Sequence, residues 1–169
     1  MLKLFDETRN RVYSIAAIHE LIYRSNSFAA IHLVEHAREL VPDLVRFYGV
    51  DDRVAVTISG DGVTLELDRA VPYGLLLNEL VSNACKHAFP GRNQGTISVT
   101  FDRAERHTTV EVADTGVGLP AGLDYNGAST LGLQLVHNLA LQLGATMSVL
   151  SGPGTRVLVR IPQQPLERA

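Results

Sequence analysis

Apolar residues recur at helical spacing in four stretches of the chain, and each stretch predicts a helix. The stretches are residues 3–24, 28–48, 72–88 and 131–143. In the first, apolar positions alternate three and four apart and form a narrow seam, which is typical of a helix that packs against another helix. The seam consists of Phe5, Thr8, Val12, Ile15, His19 and Ile22. Gly49 and Gly144 are placed to end the second and fourth helices.

Alternation of apolar and polar residues predicts strands in pairs. The predicted hairpins are 53–59 with 63–67, 95–101 with 108–113, and 145–151 with 155–161. Glycine-rich turns favour the first and last pairings, since Gly60-Asp61-Gly62 and Gly152-Pro153-Gly154 lie between their strands. Hairpins separated by helices predict a two-layer α/β sandwich, in which a mixed β-sheet carries helices on one face. One long N-terminal helix precedes this sandwich.

Composition places the chain among soluble globular proteins. It has 169 residues, of which 46% are apolar and 20% charged, enough for one domain with a substantial core. The net charge of -3 gives no strong field to attract nucleic acid, so no nucleic-acid partner is expected. A single cysteine, Cys85, excludes an internal disulfide. With no apolar run of membrane-spanning length, these features favour a cytoplasmic location.

The third predicted helix carries a row of polar side chains on one face. Glu79, Ser82, Asn83, Lys86 and His87 recur at helical spacing. A solvated helix face explains such a row and is the commoner case. The alternative is a ligand site, because a carboxylate and an amide one turn apart can hold hydrated Mg²⁺. A lysine one turn further along can reach a phosphate as a point charge.

Residues 114–129 are rich in glycine and lack periodicity, which predicts a mobile loop. The loop starts with DTGVGLP (114–120), where Asp114 at a strand end can accept a hydrogen bond from an exocyclic amine. Two glycines let the backbone approach a flat ring, whereas a plain turn would need only one. Thr155, after the last predicted turn, is placed to join a hydrogen-bond network under an adenine.

The loop ends where the fourth predicted helix begins. Free amides at a helix start bind phosphate. Gly132, in the first turn, lowers helix stability by roughly 1 kcal/mol relative to alanine, which favours close approach of something to the backbone. Tight packing of this helix on the sheet is the alternative explanation.

Taken together and in this order, the three segments resemble the Bergerat-type ATPase fold of gyrase, the mismatch-repair ATPases, a heat-shock chaperone and the histidine kinases. NELVSNACKHAFP (78–90) resembles the N box, DTGVGLP (114–120) the G1 box and TLGLQLV (130–136) the G2 box. Each alone is only suggestive, but the ordered trio is specific. The N box of this chain has a histidine, not a tyrosine, after its lysine. In this respect it is similar to the N box of a branch of bacterial sensor histidine kinases close to the His-Trp-Glu family.

Residues 11–23, RVYSIAAIHELIY, are similar to the second helix of that branch's dimerisation hairpin. The resemblance implies two parts: an incomplete dimerisation and phosphotransfer hairpin over 1–25, and an ATP-binding catalytic domain over 26–169. In this branch the phosphate-accepting histidine lies on the first hairpin helix in a His-Arg-x-x-Asn context. Nothing before Arg11 matches that context, so we expect the acceptor to lie outside this chain, and the chain alone not to autophosphorylate.

The resemblance implies that ATP lies between the third helix and the loop from Asp114 to Thr130. Asp114 would then recognise the adenine amino group, and Asn83 would hold Mg²⁺ with Asn78 or Glu79 in support. Glu79 is also the implied catalytic general base. The remaining implied contacts to ATP are Lys86 and His87 on phosphate oxygens, Gly116 and Gly118 as the hinge of the loop, Thr130, Leu131 and Gly132 at the helix start, and Thr155 under the adenine. Thr130 replaces the usual first glycine of the G2 box.

The expected partners are ATP, the accepting helix, a downstream response regulator and, in the full-length parent, a second subunit. Three other functions remain open for the same fold. An anti-sigma-factor serine kinase lacks a hairpin helix, so residues 3–24 argue against it. A non-catalytic nucleotide-binding switch would never transfer phosphate. A gyrase-type hydrolase needs a transducer domain for which the chain is too short.

Overall fold

The computed structural model describes residues 30–60, 62–119 and 131–163, together with six helical residues nearer the N-terminus. Those six are Thr8, Arg9, Val12, Ile15, Ala16 and Glu20. They agree with the predicted first helix. The predictions for Thr130 and for the loop beyond Leu119 lie outside the described residues. Within the described ranges, no helix has the length and apolarity needed to cross a membrane.

Three helices and seven strands make up the described fold. In chain order they are β1 (Ala30–His32), α1 (Leu33–Phe47), β2 (Val54–Ser59), β3 (Thr64–Glu66), a 3₁₀ turn (Leu67–Arg69), α2 (Ala70–His87), β4 (Gly95–Arg103), β5 (His107–Asp114), α3 (Leu131–Gln142), β6 (Thr146–Gly152) and β7 (Gly154–Pro162). Five strands form one sheet in the order β2-β4-β5-β7-β6, and β1 pairs with β3 in a second, two-stranded sheet. Because β2 runs parallel to β4 while the other neighbours are antiparallel, the large sheet is mixed, as predicted.

The core lies between one face of the large sheet and the helices. Val110 and Val112 of β5 are buried, whereas Glu111 between them keeps a quarter of its side chain exposed and pairs with Arg156 of β7. This alternation puts apolar side chains of the central strands against the helices, in one cluster with Leu76 and Leu80 of α2. The predicted two-layer α/β fold is therefore confirmed.

Two predictions about residues 28–67 are wrong. The helix predicted from residue 28 begins at Leu33, because residues 30–32 form β1 and pair with β3. Ile31 stands opposite Leu65 in that pairing, and both are buried. The predicted hairpin of β2 with β3 does not form, since β2 pairs in parallel with β4. Parallel pairing needs a long crossover, and the chain between the two strands includes α2.

The other hairpins and helices match their predictions closely. β4 pairs with β5 and β6 with β7, both antiparallel. Helix α2 begins two residues before Pro72, which fits in a first turn that needs no intrahelical donor. Gly144 follows α3 with a φ of 62° and donates its N–H to the Leu141 carbonyl, as predicted for a glycine that ends a helix.

Candidate nucleotide-binding site

A cavity of about 450 Å³ lies between α2, the end of β5 and the start of α3. Its size falls within the range of small-molecule sites, and its walls are largely apolar. The apolar lining comes from Leu80, Ala84, Ala88, Pro90, Val112, Val117, Leu119, Leu133 and Val157. Five of the residues implied to contact ATP also line it: Asn83, His87, Asp114, Gly118 and Thr155. The fold therefore brings these five residues, which come from four separate elements, to one cavity.

The Asp114 carboxylate is held in place by backbone amides. Its Oδ1 atom accepts hydrogen bonds from the N–H groups of Gly116, at 2.8 Å, and Thr155, at 3.2 Å. Gly154 allows the β7 start to approach this closely, because a Cβ atom there would collide with the Asp114 carbonyl oxygen. A carboxylate offers about four acceptor positions in all. Asp114 is thus fixed at the cavity wall with acceptor positions left for a ligand.

The start of the glycine-rich loop is packed against the end of α2. Val117 donates its N–H to the Ala88 carbonyl at 2.8 Å. A Cβ atom on Gly116 would collide with the backbone of Ala88, so this position requires glycine for packing. Gly118 has a φ of 76° and lies on the cavity wall. Of the two glycines predicted to form a hinge, Gly116 is anchored, and Gly118 is the better placed to move.

Thr115 fastens the same segment to the sheet. Its hydroxyl oxygen accepts a hydrogen bond from the N–H of Thr96 at 2.9 Å, and its carbonyl accepts one from Arg92 at 2.9 Å. Arg53 in turn donates to the carbonyls of Phe89 and Arg92, at 3.2 and 2.9 Å. The sequence analysis assigned no role to Thr115. Its side chain extends the β4–β5 ladder by one bond and steadies the backbone next to Asp114.

The polar row on α2 is not a simple solvated face. Glu79 is 5% exposed, Ser82 3% and Asn78 1%, so the row is buried at its beginning. Ser82 donates its hydroxyl to Oδ1 of Asn78 at 3.4 Å. The explanation by an ordinary solvated surface is therefore wrong for this turn of the helix. Further along α2 the row approaches solvent, since Asn83 and Lys86 are partly exposed and His87 is exposed.

Gly132 at the start of α3 faces this buried part of the row. A Cβ atom on Gly132 would lie 3.4 Å from Oε2 of Glu79 and 3.8 Å from Oδ1 of Asn83, and would contact no sheet residue. Both are ordinary van der Waals distances, so packing of the helix on the sheet does not require glycine here. The two side-chain oxygens and the first turn of α3 therefore meet at one point beside the cavity.

Five of the implied contacts within the described residues, Gly116 and Gly132 among them, do not line the cavity directly. Leu131 is 58% exposed, and Asn78 is buried beneath the polar row. Lys86 is half-buried, and its Nζ atom lies 5.5 Å from the centroid of the Tyr48 ring. Its neighbour His87 does line the cavity. Helical spacing alone did not predict that His87 would line the cavity and Lys86 would not.

The apolar lining was not predicted from the sequence. Leu80 and Ala84 belong to the core cluster, yet both also border the cavity. Each is adjacent in sequence to a polar residue of the row, Glu79 and Asn83, so each lies where the two faces of the helix meet. That position is the one signal available from the sequence.

Cys85 on the same helix is no nucleophile, because burial raises the pKa of its thiol to about 12.

Two family models match the chain. The model of the histidine kinase-, DNA gyrase B- and HSP90-like ATPases matches residues 68–165. The chain belongs to this ATPase family. A second model, described as histidine kinase, matches residues 1–48. These matches confirm the recognition of a histidine-kinase ATPase domain preceded by a hairpin segment. The boundary predicted at residue 25 stays a prediction.

Individual relatives are sensor kinases. Sensor histidine kinase PdtaS of Mycobacterium tuberculosis is 32% identical over 160 residues, covering 92% of this chain and 32% of that protein. Blue-light-activated histidine kinase 2 of Erythrobacter litoralis is 32% identical over 111 residues, covering 64% of this chain and 32% of its own length. The chain therefore spans about a third of the length of these curated relatives.

A solved structure matches over most of the fold. The histidine kinase domain of the Erythrobacter litoralis EL346 blue-light-activated histidine kinase superposes with a TM-score of 0.82. It is 26% identical in sequence, and the match covers 91% of this chain and 73% of that one. Because 91% of the chain is matched, the match extends N-terminal to residues 68–165, which the ATPase family model covers.

Proposed function

We propose that ATP binds in the cavity with its adenine against Asp114. The observation that carries the proposal is the fixed orientation of this carboxylate, whose Oδ1 atom accepts two backbone hydrogen bonds at the edge of an apolar slot. Adenine presents an exocyclic amine that can donate to a carboxylate, whereas guanine presents a carbonyl oxygen at the same position. The site should therefore select ATP over GTP.

The triphosphate would lie between α2 and the start of α3. Gly132 places no side chain over the first helical turn, and a helix start favours negative charge through its free amides and its dipole. His87 lines the cavity from the end of α2, where it can donate to a phosphate oxygen. Lys86, one residue earlier, is close enough along the helix to add a positive charge once its side chain turns towards the cavity.

The chemistry of the residues present fits Mg²⁺. Oε2 of Glu79 and Oδ1 of Asn83 both approach the same point beside Gly132. Mg²⁺ is usually bound through one or two protein oxygens, with the remaining positions filled by water and phosphate. In this proposal Asn83 is the ligand, while Glu79 and Asn78 support it. When bound, the ion neutralises charge on the phosphates.

We further propose that the chain transfers the γ-phosphate of ATP to a histidine on a helix outside residues 1–169. Glu79 then acts as the general base. The unprotonated ring nitrogen attacks the γ-phosphorus, the N–P bond forms as the bond to ADP breaks, and the Glu79 carboxylate accepts the proton from the other ring nitrogen. Its burial beside the proposed phosphate position supports this role. A response regulator would receive the phosphate afterwards, and the N-terminal helix would contribute to a dimer through its seam, where Val12 is 62% exposed.

Phosphotransfer to a separately supplied acceptor tests the proposal. The chain is mixed with γ-labelled ATP, Mg²⁺ and the dimerisation hairpin of the parent kinase, and the label on the hairpin is measured. The expected product is an acid-labile, base-stable phosphohistidine on the hairpin. Substitution of the hairpin histidine by glutamine should abolish the label and serves as the acceptor control.

Two variants of the chain separate binding from transfer. Glu79→Gln should retain ATP binding and lose transfer by about 100-fold or more, within the usual contribution of a general base. Asp114→Asn should lose both. Binding of ATP by the unmodified chain without any label on the hairpin would instead favour the non-catalytic nucleotide switch.

A further inference from the structure

We infer that Tyr48 is a positioning residue for Lys86, and that it connects this lysine through Phe47 to Arg9 on the N-terminal helix. The inference deepens the proposed function and rests on it, because it takes Lys86 to be a ligand of the ATP phosphates. The part of Tyr48 is to set where the lysine lies before the nucleotide arrives.

The first contact in this connection joins Lys86 to Tyr48. The ammonium nitrogen lies 5.5 Å from the ring centroid, within the distance at which a cation is attracted to an aromatic face. Tyr48 directly follows α1, which packs against α2. Lys86 does not line the cavity, whereas His87 does. The ring therefore contacts the lysine beside the cavity and not within it.

The connection continues from Tyr48 to the N-terminal helix. The rings of Phe47 and Tyr48 meet edge to face, with centroids 5.1 Å apart and planes at 88°. The guanidinium of Arg9 lies 5.0 Å from the centroid of the Phe47 ring. Two cations thus flank two adjacent rings, and the order of contacts is Arg9, Phe47, Tyr48, Lys86. Phe47 keeps 38% of its surface exposed, so core packing does not account for its position.

This arrangement makes Tyr48 a competitor of the triphosphate. Lys86 must leave the ring to reach a phosphate, so binding of ATP includes the loss of the cation–π contact. At a solvent-accessible site that contact corresponds to roughly a two- to fivefold change in affinity. A displacement of the N-terminal helix would move Arg9 and Phe47, and would thereby change the position of the Tyr48 ring that contacts Lys86. Movement of the N-terminal helix would in this way affect ATP binding.

A double-mutant cycle in the intact 169-residue chain tests the competition. The variants are Tyr48→Leu, Lys86→Met and the two together, and calorimetry measures their affinity for ATP and for adenosine, which has no phosphate. Tyr48→Leu should bind ATP two- to fivefold more tightly and adenosine unchanged. In the Lys86→Met background the same substitution should have no effect on ATP.

Three outcomes would overturn the inference. They are an unchanged or weakened affinity for ATP in Tyr48→Leu, a parallel change for ATP and adenosine, and persistence of the effect without Lys86. These differ from failure of the proposed function, in which the unmodified chain would bind no ATP at all. Equal thermal stability of wild type and Tyr48→Leu confirms that the comparison concerns folded proteins.

Nuclear magnetic resonance tests the link to Arg9. The ε-methylene of Lys86 should show an upfield ring-current shift from Tyr48 that disappears in Tyr48→Leu and on addition of ATP. Arg9→Gln and Phe47→Leu should each reduce that shift in the absence of nucleotide. Arg46→Gln is the matched control and should leave it unchanged, because Arg46 is exposed and bonds to Asp43 at 3.1 Å. An equal shift in all three variants would overturn the link.

Discussion

The backbone N–H of Thr155 donates a hydrogen bond to Oδ1 of Asp114 at 3.2 Å, and this bond joins the start of β7 to the end of β5 at the cavity wall. The residue that would recognise adenine therefore also joins the ends of two neighbouring interior strands of the sheet. Its structural and recognition roles use different acceptor positions of one carboxylate, which allows them to be separated by substitution.

Asp114→Asn should abolish adenine-nucleotide binding while leaving the fold intact. The amide oxygen of asparagine can accept the same two backbone hydrogen bonds, but its NH₂ group replaces an acceptor with a donor that faces the adenine amine. A mismatch of this kind in a buried polar contact should weaken ATP binding by at least about 100-fold. Calorimetry measures the affinity, and thermal unfolding checks the fold.

Asp114→Ala is the matched comparison. It leaves the N–H groups of Gly116 and Thr155 without their acceptor, so it should lower stability by about 1–3 kcal/mol in addition to removing ATP binding. If Asp114→Asn bound ATP within a few-fold of wild type, the assignment of the adenine-reading residue would be wrong.

Gly132→Ala should distinguish the two explanations for this glycine, which are close approach of a ligand to the backbone and packing of α3 on the sheet. Among the described residues, a Cβ atom at this position would contact the side-chain oxygens of Glu79 and Asn83, at 3.4 and 3.8 Å, so the protein should fold and gain up to roughly 1 kcal/mol of stability. The methyl group would occupy the point where the phosphates approach, and ATP affinity should fall about tenfold, or roughly 1.4 kcal/mol. Thermal unfolding and calorimetry on the same preparation give both numbers.

Gly116→Ala supplies the contrast within the same site. Its Cβ atom would collide with the Ala88 backbone, so this variant should lose several degrees of thermal stability, whereas Gly132→Ala should lose none. A destabilised Gly132→Ala protein with unchanged ATP affinity would indicate that Gly132 serves packing after all.

His36 should make the protein sensitive to acid. The ring is 1% exposed beside Tyr73, neither nitrogen has a hydrogen-bond partner within the described part of the chain, and burial lowers its pKa from 6.5 to about 4. Because the unfolded chain takes up the proton first, stability is full above about pH 6.5 and falls as the pH drops towards 4. At pH 5 this one residue should lower the free energy of unfolding by about 2 kcal/mol relative to pH 7.

His36→Phe should remove that part of the pH dependence and keep the ring volume. Glu20, Arg38, Glu39 and Asp43 line the same cavity as His36 and are present in both proteins, so the difference between the two isolates the histidine. Urea denaturation at pH 7 and pH 5 measures it. Equal losses of stability in the two proteins would show that His36 does not titrate in this interval.

Arg69 should stabilise the two helices that border the cavity. It lies just before α2, is 7% exposed, and donates to the Leu143 carbonyl beyond α3 and to the Pro162 carbonyl, the latter at 2.8 Å. Arg69→Met keeps the aliphatic stem but leaves both carbonyls without this donor, and should lower the free energy of unfolding by about 2–4 kcal/mol. Urea denaturation checks the value.

The exposed Arg46→Met variant is the control, with an expected change within about 0.5 kcal/mol. A loss below about 1 kcal/mol in Arg69→Met would contradict the role assigned to these buried contacts.

Local patterns predicted most elements of the fold, and non-local pairing accounts for the errors. β4–β5 and β6–β7 are hairpins joined by short turns, so their pairing could be inferred from adjacent segments. β1 has three residues and pairs with β3 more than 30 positions away, and so short a strand shows no clear alternation. Gly60 and Gly62 indicated a hairpin turn, but they lead from β2 to a strand of the other sheet.

The candidate site divides in a similar way. Asp114, Asn83 and His87 were predicted from motif order and helical spacing, and the fold brings them to one cavity. The placement of Lys86 on Tyr48 was not predictable, because it depends on how α1 packs against α2. The packing requirement at Gly116 and the accessible position of Gly132 likewise depend on neighbours distant in sequence.

Calorimetric titration of the intact chain with ATP and GTP, each with and without Mg²⁺, tests whether the cavity binds adenine nucleotides selectively. We expect saturable ATP binding that strengthens with Mg²⁺, and binding of GTP that is weaker by at least about 100-fold. Equal affinity for ATP and GTP, or no binding of ATP by a protein shown to be folded, would contradict adenine recognition at this site.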